Sequence, residues 1–501
     1  MMKAHFLALL LITSLFRIVP SECSQGSSSC LNSLYKCYQN NDQKHGFTVY
    51  NATEDLYSLE KLGACHFNSA ESVSSEKENS PIIIDAIVVS ILVAVSYAVC
   101  ELKGIPRKTS FKRVERYCSQ YKLNEEYGFF NHLFNDEPLP PEFEQFEQFA
   151  SNKIIELNTT KQTRKAILEL ARSVKNKKLS VDGLSYHQTL KLYSIMTYLA
   201  NSYIFCEDDP VDTLPAPISV MLYESAKKLE IRPVYSYTSC AFWNAALIDP
   251  KGPVELDNMK TRLNFTDNPG EGWFILIPVN NDIIGFKILK QLILAQEAVE
   301  SNDPEAVTDK LLPIASYLES MITKIKRMGE KLEPEFFSNE LRRYFNGYQK
   351  FEKGLKFEGV AEYESEGCRF SGATAGQSPF YQTFENAMGL IYGDKGIDSM
   401  RKDLLEGMAK INKEMAVDAR QYFGIRSFAI KHQGKVRDAY NGIIDAYVKY
   451  KQVHWSLIAR FIIAPAKNIG IEGKEKRMAG TAGTPVNVLK NMAKMLEDNK
   501  I

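Results

Sequence analysis

From residue 120 onward, apolar residues return with the 3.6-residue period of an α-helix, and no run of useful length alternates with the period of two that a half-buried strand needs. That contrast predicts an all-α fold. Leu289, Leu292, Ile293 and Val299 mark one helix, ended near Asn302-Asp303-Pro304, and Leu311, Leu312, Ala315, Leu318, Ile322 and Ile325 mark the next. Tyr440, Ile443, Tyr447, Tyr450, Leu457, Ile458 and Phe461 predict a long helix stopping before Pro465. Phe337, Leu341, Phe345 and Tyr348 predict another over 336–348. Three stretches are helix-poor. Residues 247–272 read as a connection between a smaller N-terminal helical unit and a larger C-terminal one. Residues 367–379 are too rich in glycine and small side chains to pack, which suits an active-site or hinge loop. Residues 468–485 suit either a mobile lid or a plain linker.

Within 501 residues, 61 Lys+Arg balance 61 Asp+Glu, so no uniform field draws in phosphate backbones and no nucleic-acid partner is expected. Nine cysteines are too few for a disulfide scaffold, yet Cys23, Cys30, Cys37 and Cys65 crowd the first 65 residues. The front of the chain therefore differs from the rest. Residues 1–23 carry the basic start, short apolar run and small-residue exit of a secretory signal peptide. Residues 24–80, with the sequon at Asn51, form a lumenal or extracellular cysteine-containing segment. Residues 81–102 are long enough to cross a hydrocarbon core of roughly 30 Å, with Asp85 near their start. A basic juxtamembrane linker follows at 103–119, and its lysines and arginines place what comes after in the cytosol. The small helical domain is expected over 120–262 and the larger one over 263–501. This arrangement predicts a single-pass membrane protein, cytoplasmic if the leader is absent, with the sequons at Asn158 and Asn264 left bare.

Chemistry has few places to reside. Seven histidines show no zinc-helix spacing, and the chain has no GxSxG elbow, no Walker A loop and no strand-anchored GxGxxG. His454 falls on the apolar face of the 440–461 stripe. A lone imidazole there suits either a core histidine bonded to a backbone carbonyl or the fifth ligand of a haem iron. Arg342, on the flank of the 337–348 stripe, suits either a bidentate grip on a substrate carboxylate or a surface arginine whose stem covers apolar neighbours.

The segments EEYGF (125–129), YTSCAFWN (237–244), FFSNELRRYFNGY (336–348), SGATAGQSPFYQTFE (371–385), VHWSLIARFIIAPA (453–466) and AGTAGT (479–484) follow the order and spacing of the indoleamine 2,3-dioxygenase family. The resemblance spans about residues 120–497. It implies an all-helical, haem-dependent enzyme, a small domain capping a larger haem b domain, that opens the indole ring of L-tryptophan with O2 to N-formylkynurenine, the first step of the kynurenine pathway. An electron donor must keep the iron ferrous. By the same resemblance, His454 is the proximal iron ligand and Arg342 binds the substrate carboxylate. Phe337, Phe345, Tyr237, Cys240, Ala241 and Trp273 line the distal pocket. Thr374 is the small hydroxyl residue over the haem, and Thr481 belongs to the loop that closes over the substrate. Lys451 and Glu385 stand near the propionates in place of the family's arginine and aspartate. They keep the charge signs but lose arginine's fork.

Two positions depart from the pattern. Ser338 replaces the second phenylalanine of a distal pair, a lost aromatic wall that loosens the indole slot and raises the KM or admits another indole, and Ile277 replaces a distal serine. The implied chemistry needs no protein base, so the lost hydroxyl weighs less. Two alternatives share these residues: a haem protein of the same fold that binds oxygen without turnover, and a non-catalytic membrane scaffold.

Overall fold

The strongest apolar stripes become the longest helices. The computed structural model describes residues 110–130, 133, 136–467 and 486–501. Its principal helices are α1 (Ser110–Gln120), α2 (Tyr186–Phe205), α3 (Ala216–Leu229), α4 (Pro269–Glu300), α5 (Pro304–Lys326), α6 (Pro379–Ala387), α7 (Lys410–Tyr422), α8 (Gly434–Ile458) and α9 (Val486–Glu497). Local chemistry sets their ends. Ser185 and Gln188 close a capping box at the start of α2. Asn268 and Asp303 cap α4 and α5, each followed by a proline at the first helical position, where a missing N–H costs nothing. Between them Asn302 takes a left-handed backbone, φ +52°, which ends α4 and turns the chain into α5.

These helices pack as α2 with α3, α4 with α5, α5 with α8, α8 with α9, and α6 with α7. Strand structure is confined to two short pairs among the described residues. Thr213–Leu214 runs parallel to Lys356–Phe357, and Ala245–Leu247 runs antiparallel to Met259–Thr261. The fold is thus mostly helical, as the periodicity predicts. Residues 109–501 form one compact unit. A single apolar core runs through it, from Tyr117 to Leu496, so the division expected at 262/263 falls inside a continuous core.

Four local expectations are corrected. Residues 336–348 are not one helix. They form a turn of α-helix over Pro334–Asn339, a 3-10 segment over Leu341–Phe345 and a second 3-10 turn at Tyr348–Lys350. The break comes at Gly347, which lies against the backbone of Phe370, Ser371 and Gly372. The helix of His454 does not stop before Pro465 but continues as a π-helical turn, Ala459–Ile463, into Ala464–Lys467. Pro465 thus lies two residues beyond the π-helical turn. The 247–272 stretch is more than a connection, holding the second strand of the antiparallel pair, Met259–Thr261, and the start of α4. Residues 110–119, expected within a linker, belong to α1. Val114, Tyr117 and Cys118 of α1 are buried, and Arg113 grips Glu300 of α4 through two bonds of 2.6 and 2.7 Å.

Among the described residues, α4 is the helix long and apolar enough to cross a membrane, but 72% of its apolar window is buried inside the protein, so it is a core helix. The predicted signal peptide, lumenal segment and membrane span at 1–102 lie outside the described residues, as do the loop at 468–485 and Thr481 within it.

Candidate functional site

His454 lies near the end of α8, on one face with Lys451, Tyr450 and Tyr447, which precede it by three, four and seven residues. Its imidazole is half-buried and makes no hydrogen bond among the described residues, so the carbonyl partner required of a core histidine is missing. Burial, and then the nearby Lys451 charge, pushes its pKa down to about 4. At neutral pH the ring is therefore uncharged, the form that binds a metal. No group of three His, Cys, Asp or Glu side chains able to hold a metal ion occurs among the described residues. A metal on His454 must then bring most of its own ligands, as a porphyrin does.

Beside this face is a buried charge cluster. Glu385 of α6 is 2% exposed. It accepts a 2.6 Å hydrogen bond from the Tyr447 hydroxyl, lies 3.2 Å from the Lys451 ammonium, and is ion-paired with Arg401 of the Lys395–Glu406 helix. Two cations thus share one carboxylate in a largely dry place, leaving one positive charge over. Burial and then Arg401 push the Lys451 pKa down to about 7, the response of an ammonium short of an anion. A carboxylate-bearing cofactor bound beside His454 would supply that anion. The neutral imidazole, the excess of buried cations and the aromatic surroundings together fit haem b. Arg401 was not among the residues picked from the sequence. It restores at another position the guanidinium fork that Lys451 lacks.

On the substrate side, Phe337 and Phe345 are both buried and meet through a residue that sequence reasoning missed. Phe274 of α4 packs against Phe337 with ring centroids 4.9 Å apart and against Phe345 at 5.3 Å. Phe337 also lies 6.2 Å from Phe461, on the π-helical turn that follows His454. This aromatic cluster therefore borders the histidine's helix. The signal for Phe274 was slight: it stands four residues before Pro278, which lacks the N–H that would bond the Phe274 carbonyl inside α4. Trp273, the residue chosen instead, faces elsewhere. Its indole N–H donates to the Arg327 carbonyl at 2.8 Å, and its ring lies 5.0 Å from the Arg327 guanidinium and 4.2 Å from the Lys331 ammonium. Ile277 is fully buried, and the Ser338 hydroxyl is buried with no hydrogen-bond partner among the described residues.

Arg342 is half-buried in the same 3-10 segment as Phe345. The glycine-rich loop holds that segment in place. Gly347 and Gly372 approach so closely that a Cβ on either would overlap the other strand's backbone, and the Tyr348 N–H donates to the Phe370 carbonyl at 2.8 Å. Further along the loop, the Thr374 oxygen caps a 3-10 turn by accepting from Gly376 N at 3.3 Å. Gln377 of that turn accepts the Tyr237 N–H at 2.9 Å. The π-helical turn Thr238–Phe242 carries Cys240 and Ala241, both buried, directly after Tyr237. Burial pushes the Cys240 thiol up to about 12, so it stays protonated. The Tyr237 hydroxyl donates to Asp282 at 2.8 Å. Each predicted residue that the structure describes, Trp273 excepted, is thus tied to the aromatic cluster, the glycine loop or the charge cluster.

Comparison with known proteins agrees with this geometry. A family model described as indoleamine 2,3-dioxygenase matches residues 117–499. The chain is similar to indoleamine 2,3-dioxygenase 1 of Rattus norvegicus, 27% identical over 323 residues that cover 62% of this chain and 79% of the relative. It is equally similar to the Mus musculus protein of that name, 27% identical over 330 residues, 63% of this chain and 80% of the relative. A 6-hydroxytryptophan 2,3-dioxygenase of Fusarium equiseti is 23% identical over 303 residues, covering 60% and 74%. With a family match over nearly all of its helical unit, the chain belongs to the indoleamine 2,3-dioxygenase family.

Proposed function

We propose that this protein is a haem-dependent dioxygenase that cleaves the indole C2–C3 bond of L-tryptophan with O2 to give N-formylkynurenine. The observation that carries the reading is the neutral His454, without a hydrogen bond among the described residues, beside a buried cluster with one cation in excess. Haem, when bound, supplies the iron that activates oxygen. The chain's own residues bind, orient and exclude. His454 holds the iron, while Lys451 and Arg401 meet the acidic edge of the cofactor. Arg342 grips the amino-acid carboxylate, and Phe274, Phe337 and Phe345 wall the indole and keep water out. No described side chain of the pocket stands ready as a base: the Cys240 thiol is protonated and the Tyr237 proton is committed to Asp282. That suits a reaction in which the protein need not take a proton.

The test is to supply haem, reduce the protein and incubate it with L-tryptophan under labelled O2. Both labelled atoms should enter N-formylkynurenine. Oxygen uptake without product would instead favour the oxygen-binding alternative, and failure to take up haem would favour the scaffold.

The catalytic unit is further proposed to face the cytosol, where a reductant for ferric iron is at hand. The buried sequon residue Asn158 supports this. Its amide nitrogen donates to Ser202 Oγ at 3.2 Å and to the Phe265 carbonyl at 3.0 Å, and its oxygen accepts from Thr163 at 2.7 Å. A glycan on that nitrogen cannot coexist with these bonds. In a glycosylating cell the full chain should carry no endoglycosidase-sensitive glycan at Asn158 or Asn264, and a glycan on either would reverse the orientation.

A further inference from the structure

Asp282 sits in the middle of α4, fully buried, and plays no part in the chemistry above. Each of its carboxyl oxygens accepts one hydroxyl: Oδ2 from Tyr237 at 2.8 Å and Oδ1 from Ser378 at 2.7 Å. Ser378 is itself the cap of α6, its oxygen accepting Phe380 N at 3.2 Å. One carboxyl therefore joins the π-helical turn of Tyr237, Cys240 and Ala241, the central helix α4, and the end of the glycine loop that carries Thr374. Each of the three carries residues assigned to the pocket.

We propose that Asp282 is a positioning residue that holds the Tyr237 hydroxyl and the Thr374 loop in register with α4, so that the tightness of the indole slot follows the charge on this carboxyl. The inference rests on the dioxygenase reading. As a carboxylate, Asp282 accepts from both hydroxyls at once. Once protonated it must donate a proton of its own, and one of the two hydroxyls loses its acceptor. The groups acting on it are Tyr237 and Ser378 by hydrogen bonds, with the Tyr381 and Tyr450 phenols, themselves 2.5 Å apart, close behind. No cation is among them. Burial accordingly pushes the carboxyl up to about 7, against the downward pull of its two donors. The ionised, gripping form prevails above pH 7 and is lost below it. The KM for tryptophan should then rise as pH falls from 8 to 6.

Glu271 and Lys451 also titrate near pH 7, so the pH profile alone does not single out Asp282. Asp282→Asn does, because an amide offers one acceptor and one donor in place of two acceptors. In the haem-loaded full chain, D282N should raise KM about 10-fold at pH 8, the worth of one hydrogen bond to a charged group. It should also flatten the KM profile between pH 6 and 8, the change falling on KM more than on kcat. Infrared difference spectra between pH 6 and pH 8 should show protonated-carboxyl C=O intensity from Asp282 and Glu271 in the wild type, and D282N should lose the Asp282 component while keeping that of Glu271. If D282N does not fold, Tyr237→Phe removes one donor and should raise KM at pH 8 toward the wild-type value at pH 6. A wild-type KM that is flat across this range, or a D282N profile matching the wild type, overturns the role of Asp282 and leaves the dioxygenase reading intact. A wild type without haem uptake or product overturns that reading, and this inference with it.

Discussion

His454→Ala should abolish haem retention. After reconstitution and removal of free cofactor, the variant should lack the Soret band that the wild type keeps, and N-formylkynurenine production should fall by at least about 100-fold. Losing even an outer partner of a metal ligand costs about 10- to 100-fold, so losing the ligand itself costs more. The fold should survive. His454 is half-buried and makes no hydrogen bond among the described residues, and alanine is the strongest helix former, so α8 loses neither a partner nor propensity. Far-UV circular dichroism should therefore be unchanged. A variant that kept its haem would remove His454 from the iron and, with it, the charge-cluster account of the cofactor's acidic edge.

Arg342→Ala should separate substrate binding from cofactor binding. A guanidinium paired bidentately with a carboxylate contributes about 1.5–3 kcal/mol, so the KM for L-tryptophan should rise about 10- to 150-fold. The haem spectrum should stay as in the wild type, because Arg342 lies in the Leu341–Phe345 segment and not in the Glu385, Arg401 and Lys451 cluster. Lysine at the same position should recover little of the loss, since a point charge does not reproduce the fork. Indole compounds without a carboxylate provide the control: their weak binding should be the same in variant and wild type. If they lose as much as tryptophan, Arg342 acts by shaping the segment and not by holding the carboxylate.

What could be read from the sequence follows from how far each cause reaches along the chain. Helices α4, α5 and α8 were legible because their apolar periods lie within each helix itself. His454 was legible because a single polar ring on an apolar helical face stands out without reference to its neighbours. Glu385 and Lys451 came from resemblance alone, and nothing local marked them as partners 3.2 Å apart. Arg401 sits on a helix rich in charge, where one more arginine attracts no notice. Asp282 meets Tyr237 across 45 residues and Ser378 across 96. The break in 336–348 was invisible for the same reason. Its residues keep a helical stripe, and the close approach of Gly347 to Gly372, a tertiary contact, overrides that local preference.

That pair of glycines also limits how such a protein can diverge. Because the Arg342 segment and the loop bearing Thr374 meet backbone to backbone, neither can acquire a side chain at the crossing, and neither can shift without the other. On the proposed reading, in which Arg342 grips the amino-acid end of the substrate, that end of the slot is thereby held fixed. New indoles must be won by exchanging side chains at the ring end, at positions such as Phe274, Ile277 and Ser338, where a substitution alters the shape of the slot and leaves the frame untouched. Substrate range can then drift while the carboxylate anchor is inherited unchanged.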